Sequence, residues 1–342
     1  MKKALIVTTV SVTLEAFLLP HARAMKTKGW QVDCLANGSV KSEKCQATFD
    51  HCHDIAWGRS PLNIHNFTTY PRMIRNLVKE KGYNVVHVHT PVASFVTRMA
   101  LRHLRKRTGT KVVYTAHGFH FYKGGNPIKN AVFLSLEKLA AGWTDRLVVI
   151  NSEDYEAAVR YLLPKKQVLY KKNGVGLDRS YYNAEAIPEE AIQKVRQAMG
   201  LTDSDTLFTM IAEFNRGKRH TDLIRAFALL DDQDSQLALL GKGRLMERCK
   251  KLCKDLKITD RVHFMGHVPD VRPYILASRA TVLPSEREGL PRAVMESLAL
   301  GVPVIGADAR GTRDLLKNGG GWIVPVGGIQ ELAALLHKLS SC

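Results

Sequence analysis

Short runs of β-branched and aliphatic residues alternate with longer stretches of helical periodicity along nearly the whole 342-residue chain. Two parallel strands cannot be joined by a tight turn; the connection takes a dozen or more residues, and a helix supplies it. Runs at 4–10, 30–35, 54–57, 85–89, 111–116 and 146–150 read as strands, with 17–28, 66–81, 93–107 and 130–141 as helices between them. Gly29 and Gly82 stop two of these helices, and Asn37-Gly38 marks a turn. Ser152 reads as the N-cap of a further helix, with Glu153 and Asp154 in its first turn. Strands this uniformly apolar belong in a parallel sheet covered on both faces.

The pattern breaks after 168–170. Asn173-Gly-Val-Gly-Leu-Asp178 and the irregular stretch to Pro188 read as a linker. A second series follows, with strands at 206–212, 236–240, 262–265, 281–283 and 303–306. Its helices are 222–230, 245–256, a short one before 281, 292–300 closed by Gly301, and 330–339. A prior of about 150 residues per domain also gives two. The expected fold is α/β: two doubly wound, Rossmann-like parallel-sheet domains facing across a cleft, 1–172 and 190–342, joined by 173–189. Ligands would sit at the carboxyl ends of the strands. No glycine follows the first strand between Thr8 and Leu14, and Gly241-Lys-Gly243 lacks both a third glycine and a Lys-Ser/Thr pair. Neither a dinucleotide fingerprint nor a P-loop is present.

Composition narrows the class. With 45% hydrophobic and 24% charged residues the chain is globular, and no apolar run approaches the roughly 18 residues of a membrane span. Lys2, Lys3 and Ala22-Arg23-Ala24 imitate a secretory leader, but Thr8, Thr9, Ser11, Thr13 and Glu15 interrupt the apolar run, which continues as a first strand and helix. The six cysteines, Cys34, Cys45, Cys52, Cys249, Cys253 and Cys342, form no C-x-x-C pair, as expected in a reducing compartment. Cys45, His51, Cys52 and His53 match no zinc spacing and read as a polar loop.

Charge is uneven. Residues 1–150 carry 22 Lys/Arg against 8 Asp/Glu, whereas 151–342 carry 28 against 24. Such a field attracts anionic partners, and no nucleic-acid motif accompanies it. Each Lys or Arg near an anionic leaflet is worth about 1 kcal/mol. The basic cluster Arg102, Arg105, Lys106, Arg107 and Lys111 therefore points to a cytoplasmic protein held peripherally on the inner face of the cell membrane, with no nucleic acid as partner.

The stretch from Leu283 to Ile305 carries the chemistry. A strand ends, a loop presents Glu286 and Glu288, and Pro291 reads as the first position of a helix running to Gly301. Backbone N–H groups of Gly289, Leu290 and Arg292, at a helix N-terminus, make a seat for a diphosphate. Glu288 at the mouth can accept hydrogen bonds from sugar hydroxyls, and Glu296 can take a ribose diol. The spacing alone is met equally by a surface loop in which Glu288 serves only the helix dipole.

Read as E-x7-E, Glu288-Gly-Leu-Pro to Glu296 resembles the donor signature of retaining family-4 glycosyltransferases of GT-B architecture. Gly301-Val-Pro-Val-Ile305 and Arg310-Gly-Thr-Arg-Asp314 fit the same pattern. His87-Val-His-Thr-Pro91, Tyr114-Thr-Ala-His-Gly-Phe-His-Phe-Tyr122, Ile150-Asn-Ser-Glu-Asp-Tyr155, Asn173 to Asp178 and Ala212-Glu-Phe-Asn-Arg-Gly-Lys218 resemble its capsular and exopolysaccharide branch, in collinear order over nearly the whole chain. The resemblance implies transfer of a hexose or N-acetylhexosamine, with retention, from a nucleotide-sugar, UDP being expected, to a lipid-linked oligosaccharide in capsule, exopolysaccharide or O-antigen synthesis. It implies that Glu296 binds the ribose, Glu288 the transferred sugar, and Lys218 with Arg216 the diphosphate, while Gly289, Leu290 and Pro291 complete the donor loop. It places His117 at the reacting sugar across the cleft, with His89, Thr90 and His120 as acceptor-side candidates. No cofactor and no metal are expected, because protein cations replace the metal.

Three departures stand out. Ala212-Glu213-Phe214 replaces the Gly-Arg-Leu of many relatives, leaving Arg216 to substitute for the missing arginine. The glycine-rich loop after the first strand is absent. Relatives also continue past the helix at 330–339 into crossover helices that return to the first domain, and these are expected to be missing here. A GT-B epimerase or phosphorylase, or a non-catalytic nucleotide-sugar binder, is the alternative on the same fold.

Overall fold

The computed structural model describes residues 1–57 and 63–341. Cys342, and with it the reading of a truncation there, lies outside the described residues. The chain divides into two compact units, Met1–Val175 and Gly176–Cys342.

Unit 1 begins with β1 (Lys2–Val10), α1 (Ser11–Phe17), α2 (Leu19–Lys26), β2 (Trp30–Asn37), α3 (Glu43–Thr48) and β3 (Cys52–His53). It continues through α4 (Thr69–Lys81), β4 (Val85–Val88), α5 (Pro91–Leu101), α6 (Leu104–Thr108) and β5 (Lys111–Ala116). It closes with α7 (Pro127–Ala141), β6 (Arg146–Val149), α8 (Ser152–Tyr161) and β7 (Val168–Tyr170). The strands form one parallel sheet in the order β3-β2-β1-β4-β5-β6-β7.

Unit 2 contains α9 (Glu189–Ala198), β8 (Thr206–Ile211), α10 (His220–Phe227), β9 (Ser235–Leu240), α11 (Met246–Asp255) and β10 (Val262–Gly266). Then come α12 (Arg272–Leu276), β11 (Ala280–Leu283), α13 (Arg292–Ala299), β12 (Val304–Ala307), α14 (Arg310–Leu316), β13 (Gly321–Val324) and α15 (Ile329–Ser340). Its parallel sheet runs β10-β9-β8-β11-β12-β13. In both units the direction of strand progression reverses once, between β1 and β4 and between β8 and β11. Open parallel sheets bind ligands beyond the carboxyl ends of the strands at such reversals.

Several expectations need correction. The third strand is Cys52–His53, in register with Cys34 and Leu35 of β2, and not 54–57. Asp54 ends it by accepting the Gly38 N–H (2.6 Å), and Ile55 and Trp57 turn into the core instead. The helix expected at 17–28 is two helices beginning straight after β1, because Pro20 cannot donate to a continuous ladder. The helix expected at 93–107 breaks at Arg102–His103 without glycine or proline. The turn frees Arg105 to reach Asp145 (2.8 Å) and the Gly142 carbonyl (3.0 Å). Asn151, not Ser152, caps α8, its Oδ1 accepting the Asp154 N–H at 2.8 Å.

One buried charge organises the outer layer of unit 1. Arg98 on α5 is 1% exposed. It donates to Glu137 of α7 (2.9 Å) and lies 4.1 Å over the Tyr114 ring of β5. Tyr114 donates to the same carboxylate (3.3 Å). The inner face of α7 is thus pinned to its neighbours.

Candidate active site

In unit 2 the site is built from the loops after β8 and β11, the two strands at the reversal. Beyond β8 the chain makes a single 3₁₀ turn at Arg216–Lys218, and Asn215 accepts the Lys218 N–H (3.2 Å). Arg219 follows with φ of 57°, in the left-handed region. The loop after β11 is tied to this turn by Glu286 N–H donating to the Gly217 carbonyl (3.0 Å). The two backbones so joined bring Lys218 Nζ to 2.5 Å from Glu288 Oε1. Glu288 is only 9% exposed, and Lys218 supplies its counter-charge.

Pro291 is the N-cap of α13, not its first residue: its ψ of 121° is extended, and Arg292 opens the helix. Glu296, one turn further on, is buried. It accepts from the Tyr182 hydroxyl (2.5 Å) and from Arg292 Nε (2.8 Å) at the same Oε1. Burial and the Glu296 carboxylate push the Tyr182 hydroxyl up to about 12. Tyr182 lies in the segment read as linker, where no local pattern marks it for function.

Gly311 of α14 lies in the Arg310–Asp314 block already noted in the sequence, but the block's pattern assigns it no role. A Cβ there would lie 2.0 Å from the Gly289 carbonyl oxygen and 2.7 Å from Leu290 Cα, so only glycine lets α14 back up against the loop. Arg216 is placed differently from Lys218. It lines a cavity of about 350 Å³ with Arg219, Arg244, Arg248 and His220, to which neither Lys218 nor Glu288 contributes.

Unit 1 gathers histidines at the carboxyl ends of β4 and β5. His89 Nδ1 and His117 Nε2 share a hydrogen bond of 3.0 Å, and His87 Nε2 bonds Thr115 Oγ1 at 2.8 Å. The His87 and His89 rings lie on one face with centroids 4.2 Å apart. Thr90 has φ of 57°; its hydroxyl accepts the Thr9 N–H (3.0 Å), bonds Thr9 Oγ1 (2.8 Å) and donates to the His89 carbonyl (2.6 Å). His120 packs on Phe133 of α7. His21, His87, His89 and Lys171 line a cavity of about 370 Å³. Near β3, buried Asp33 accepts from Tyr83 (2.6 Å) and pairs with His51 (3.1 Å). Among the described residues no three His, Cys, Asp or Glu side chains are placed to hold a metal ion.

Burial, helped by neighbouring His21 and Lys171, lowers His117 from 6.5 to about 4. Burial beside Lys218 does the same for His220. Between pH 6.5 and 4 the unfolded chain protonates these rings and the folded chain does not, so stability falls as pH falls. At pH 5 each costs about 2 kcal/mol relative to pH 7. Urea unfolding at the two pH values should show the drop, and His220→Gln should shrink it; an unchanged difference would refute the assignment.

The profile described as Glycosyltransferase Family 4 matches residues 14–179, and that described as Glycosyl transferases group 1 matches 191–342. A Bacillus subtilis (strain 168) protein, EpsD, assigned as a glycosyltransferase, is 34% identical over 100% of this chain and 89% of its own length. The chain belongs to the family-4 glycosyltransferases. An Escherichia coli relative of this glycosyltransferase is 30% identical over 71% of the chain and 62% of its own length. It is the UDP-Gal:α-D-GlcNAc-diphosphoundecaprenol α-1,3-galactosyltransferase. The Anabaena protein Alr3699/HepE, crystallised with UDP and glucose, aligns with a TM-score of 0.78 at 18% identity, covering 99% of this chain and 89% of that one. WaaG, a glycosyltransferase of lipopolysaccharide biosynthesis, aligns at 0.74 and 16%, covering 99% and 90%. These likenesses show the fold: the enzyme has the two doubly wound units of the GT-B class.

Proposed function

We propose that this glycosyltransferase moves a hexose or N-acetylhexosamine from a UDP-sugar to a lipid-linked saccharide in capsule or exopolysaccharide assembly, with retention at the anomeric carbon. The observation that carries the reading is the pairing of Lys218 with Glu288, together with the buried Glu296 held by buried Tyr182 and by the partly exposed Arg292. A carboxylate held by a lysine through one oxygen can release that lysine to an incoming diphosphate and turn to sugar hydroxyls. A buried carboxylate fixed by a tyrosine and an arginine suits the cis-diol of a ribose. Gly289, Leu290 and Pro291 lead into the first turn of α13, where N–H groups have no intrahelical acceptor. Lys218 neutralises the leaving group electrostatically, the role otherwise taken by a metal ion, while Arg216 faces the neighbouring cavity. In unit 1, His117 with His89 and Thr90 forms the acceptor side.

The names of relatives support the substrate classes: one acts from UDP-Gal on a diphosphoundecaprenol-linked sugar, and HepE binds UDP and glucose. No helix among the described residues is long and apolar enough to cross a membrane. In this reading the enzyme meets its lipid-linked acceptor as a peripheral protein on the inner membrane face, a placement suggested by its basic first half.

The deciding experiment incubates the purified enzyme with a panel of nucleotide-sugars and bacterial lipid extract, following nucleotide release and glycolipid formation. Glycolipid formed from a UDP-sugar supports the reading; release without glycolipid, or turnover with soluble acceptor alone, sinks it. Tyr182→Phe removes one of the two partners of Glu296 Oε1, worth about 1 kcal/mol. UDP affinity measured by calorimetry should fall about fivefold with turnover at saturation little changed; equal affinity would remove Glu296 from the nucleotide site.

A further inference from the structure

The outer face of α7 is apolar and uncovered. Ile128 (75% exposed), Val132 (53%), Leu136 (42%) and Leu139 (56%) recur at helical spacing on one side of a 15-residue helix. Ala131 and Ser135 fill the gaps between them and are also exposed. At 100° per residue these six span less than half the helix circumference, and Lys129 and Lys138 fall one at each border of the stripe. The helix cannot roll to hide this face. Glu137, on the opposite side, is held by Arg98 and Tyr114, and Asn130 and Phe133 are engaged by Tyr122 and His120.

The surroundings are cationic. Lys138 Nζ and the Arg160 guanidinium lie 5.6 and 5.2 Å from the ring of Tyr161, itself exposed. Arg105, its charge taken by Asp145, ties the basic helix α6 to the C-terminal end of α7 through Gly142 and leaves Lys106 and Arg107 exposed there. The one acidic residue of α7, Glu137, lies on the inner face. An apolar stripe with lysines at both margins and an interfacial tyrosine is the pattern of a helix lying in a bilayer surface, its stems buried and its ammonium groups among headgroups.

We propose that α7 is the element by which this enzyme lies on an anionic lipid bilayer, with Ile128, Val132, Leu136 and Leu139 entering the headgroup–acyl boundary. The inference rests on the reading that the acceptor is lipid-linked, and it names the surface that reaches that lipid. A second copy of the chain fits this face poorly. A helix of this length and a width of about 10 Å offers roughly 220 Å², against about 800 Å² per partner in a stable complex. Pairing two such faces would also oppose Lys129 and Lys138 to their own kind.

The test is flotation with phosphatidylcholine vesicles, with and without about one-third phosphatidylglycerol. The wild-type enzyme should float with the anionic vesicles and scarcely with the neutral ones. Val132→Ser/Leu136→Ser/Leu139→Ser should lower the partition coefficient at least about tenfold with an unchanged thermal midpoint, since all three side chains are exposed. Lys129→Gln/Lys138→Gln should lower it several-fold and flatten its salt dependence. Wild-type partition in the triple variant, or no flotation of the wild type, overturns the proposal. So does light scattering that finds a wild-type dimer made monomeric by the triple variant with flotation intact. Transfer to detergent-dispersed lipid extract is measured alongside. If that fails in the wild type while flotation succeeds, the functional reading falls and the docking surface stands; the converse removes only the docking surface.

Discussion

Lys218→Ala is expected to lower the rate of sugar transfer about 10²–10³-fold, the loss found when one preorganised donor to developing negative charge is removed. The residue is preorganised in the physical sense: its turn is fixed by Asn215, and the partner loop is tied to the same turn through Gly217 and Glu286. In the free enzyme its ammonium group offsets the buried Glu288 carboxylate at 2.5 Å. Removing the lysine alone leaves that carboxylate uncompensated and should also destabilise the protein by about 1–3 kcal/mol. The double variant Lys218→Ala/Glu288→Gln separates the two effects. It should regain most of the stability in urea unfolding and none of the rate, because the diphosphate still lacks its cation. A single variant that keeps a tenth of the wild-type rate would show that Lys218 only holds Glu288 in place.

Gly311→Ala should cost about 10²-fold in transfer although residue 311 meets no substrate in the proposed mechanism. A Cβ at 2.0 Å from the Gly289 oxygen meets backbone and not a side chain that could swing aside. Either α14 or the segment from Glu288 to Pro291 must move by about 1 Å, a displacement that costs about a hundredfold where donor and reacting groups must be aligned. The accompanying overpacking should cost about 1–3 kcal/mol. Gly142→Ala is the control: its added Cβ meets nothing nearer than 3.7 Å and its φ is −61°, so rate and stability should both hold. UDP titration of Gly311→Ala should show weakened binding; wild-type affinity and rate together would mean the loop does not seat the donor.

The two sheets were legible because their strands are self-announcing. Lys111–Ala116 alternates valine, tyrosine and threonine on a buried strand, and its bounds in the structure coincide with the pattern. Boundaries set by tertiary partners were not. The break between α5 and α6 answers to Asp145, forty residues from Arg105. The start of α7 moves back to Pro127 because Asn126 caps it through the Lys129 N–H. The helix α14 and the strand β13 escaped because they are short and carry glycine, and α9 because it falls between the linker and the next strand, outside the regular β-α alternation. Within the site, Glu288, Glu296 and Lys218 stand in a motif whose spacing survives in one dimension. Tyr182 reaches Glu296 across 114 positions and Gly311 meets Gly289 across a helix interface, so their roles exist only once the chain is folded.

Thr90 carries one further implication. A β-branched residue at φ of 57° costs about 1–3 kcal/mol, and here it is clamped by the two threonine hydroxyl contacts to β1. Anyone selecting hardier versions of this protein by heat challenge alone would be led towards glycine at this position. Such a selection would loosen the pivot on which the His89 imidazole is mounted, and under the acceptor-side role proposed for that ring a gain in melting temperature would arrive together with a duller catalyst.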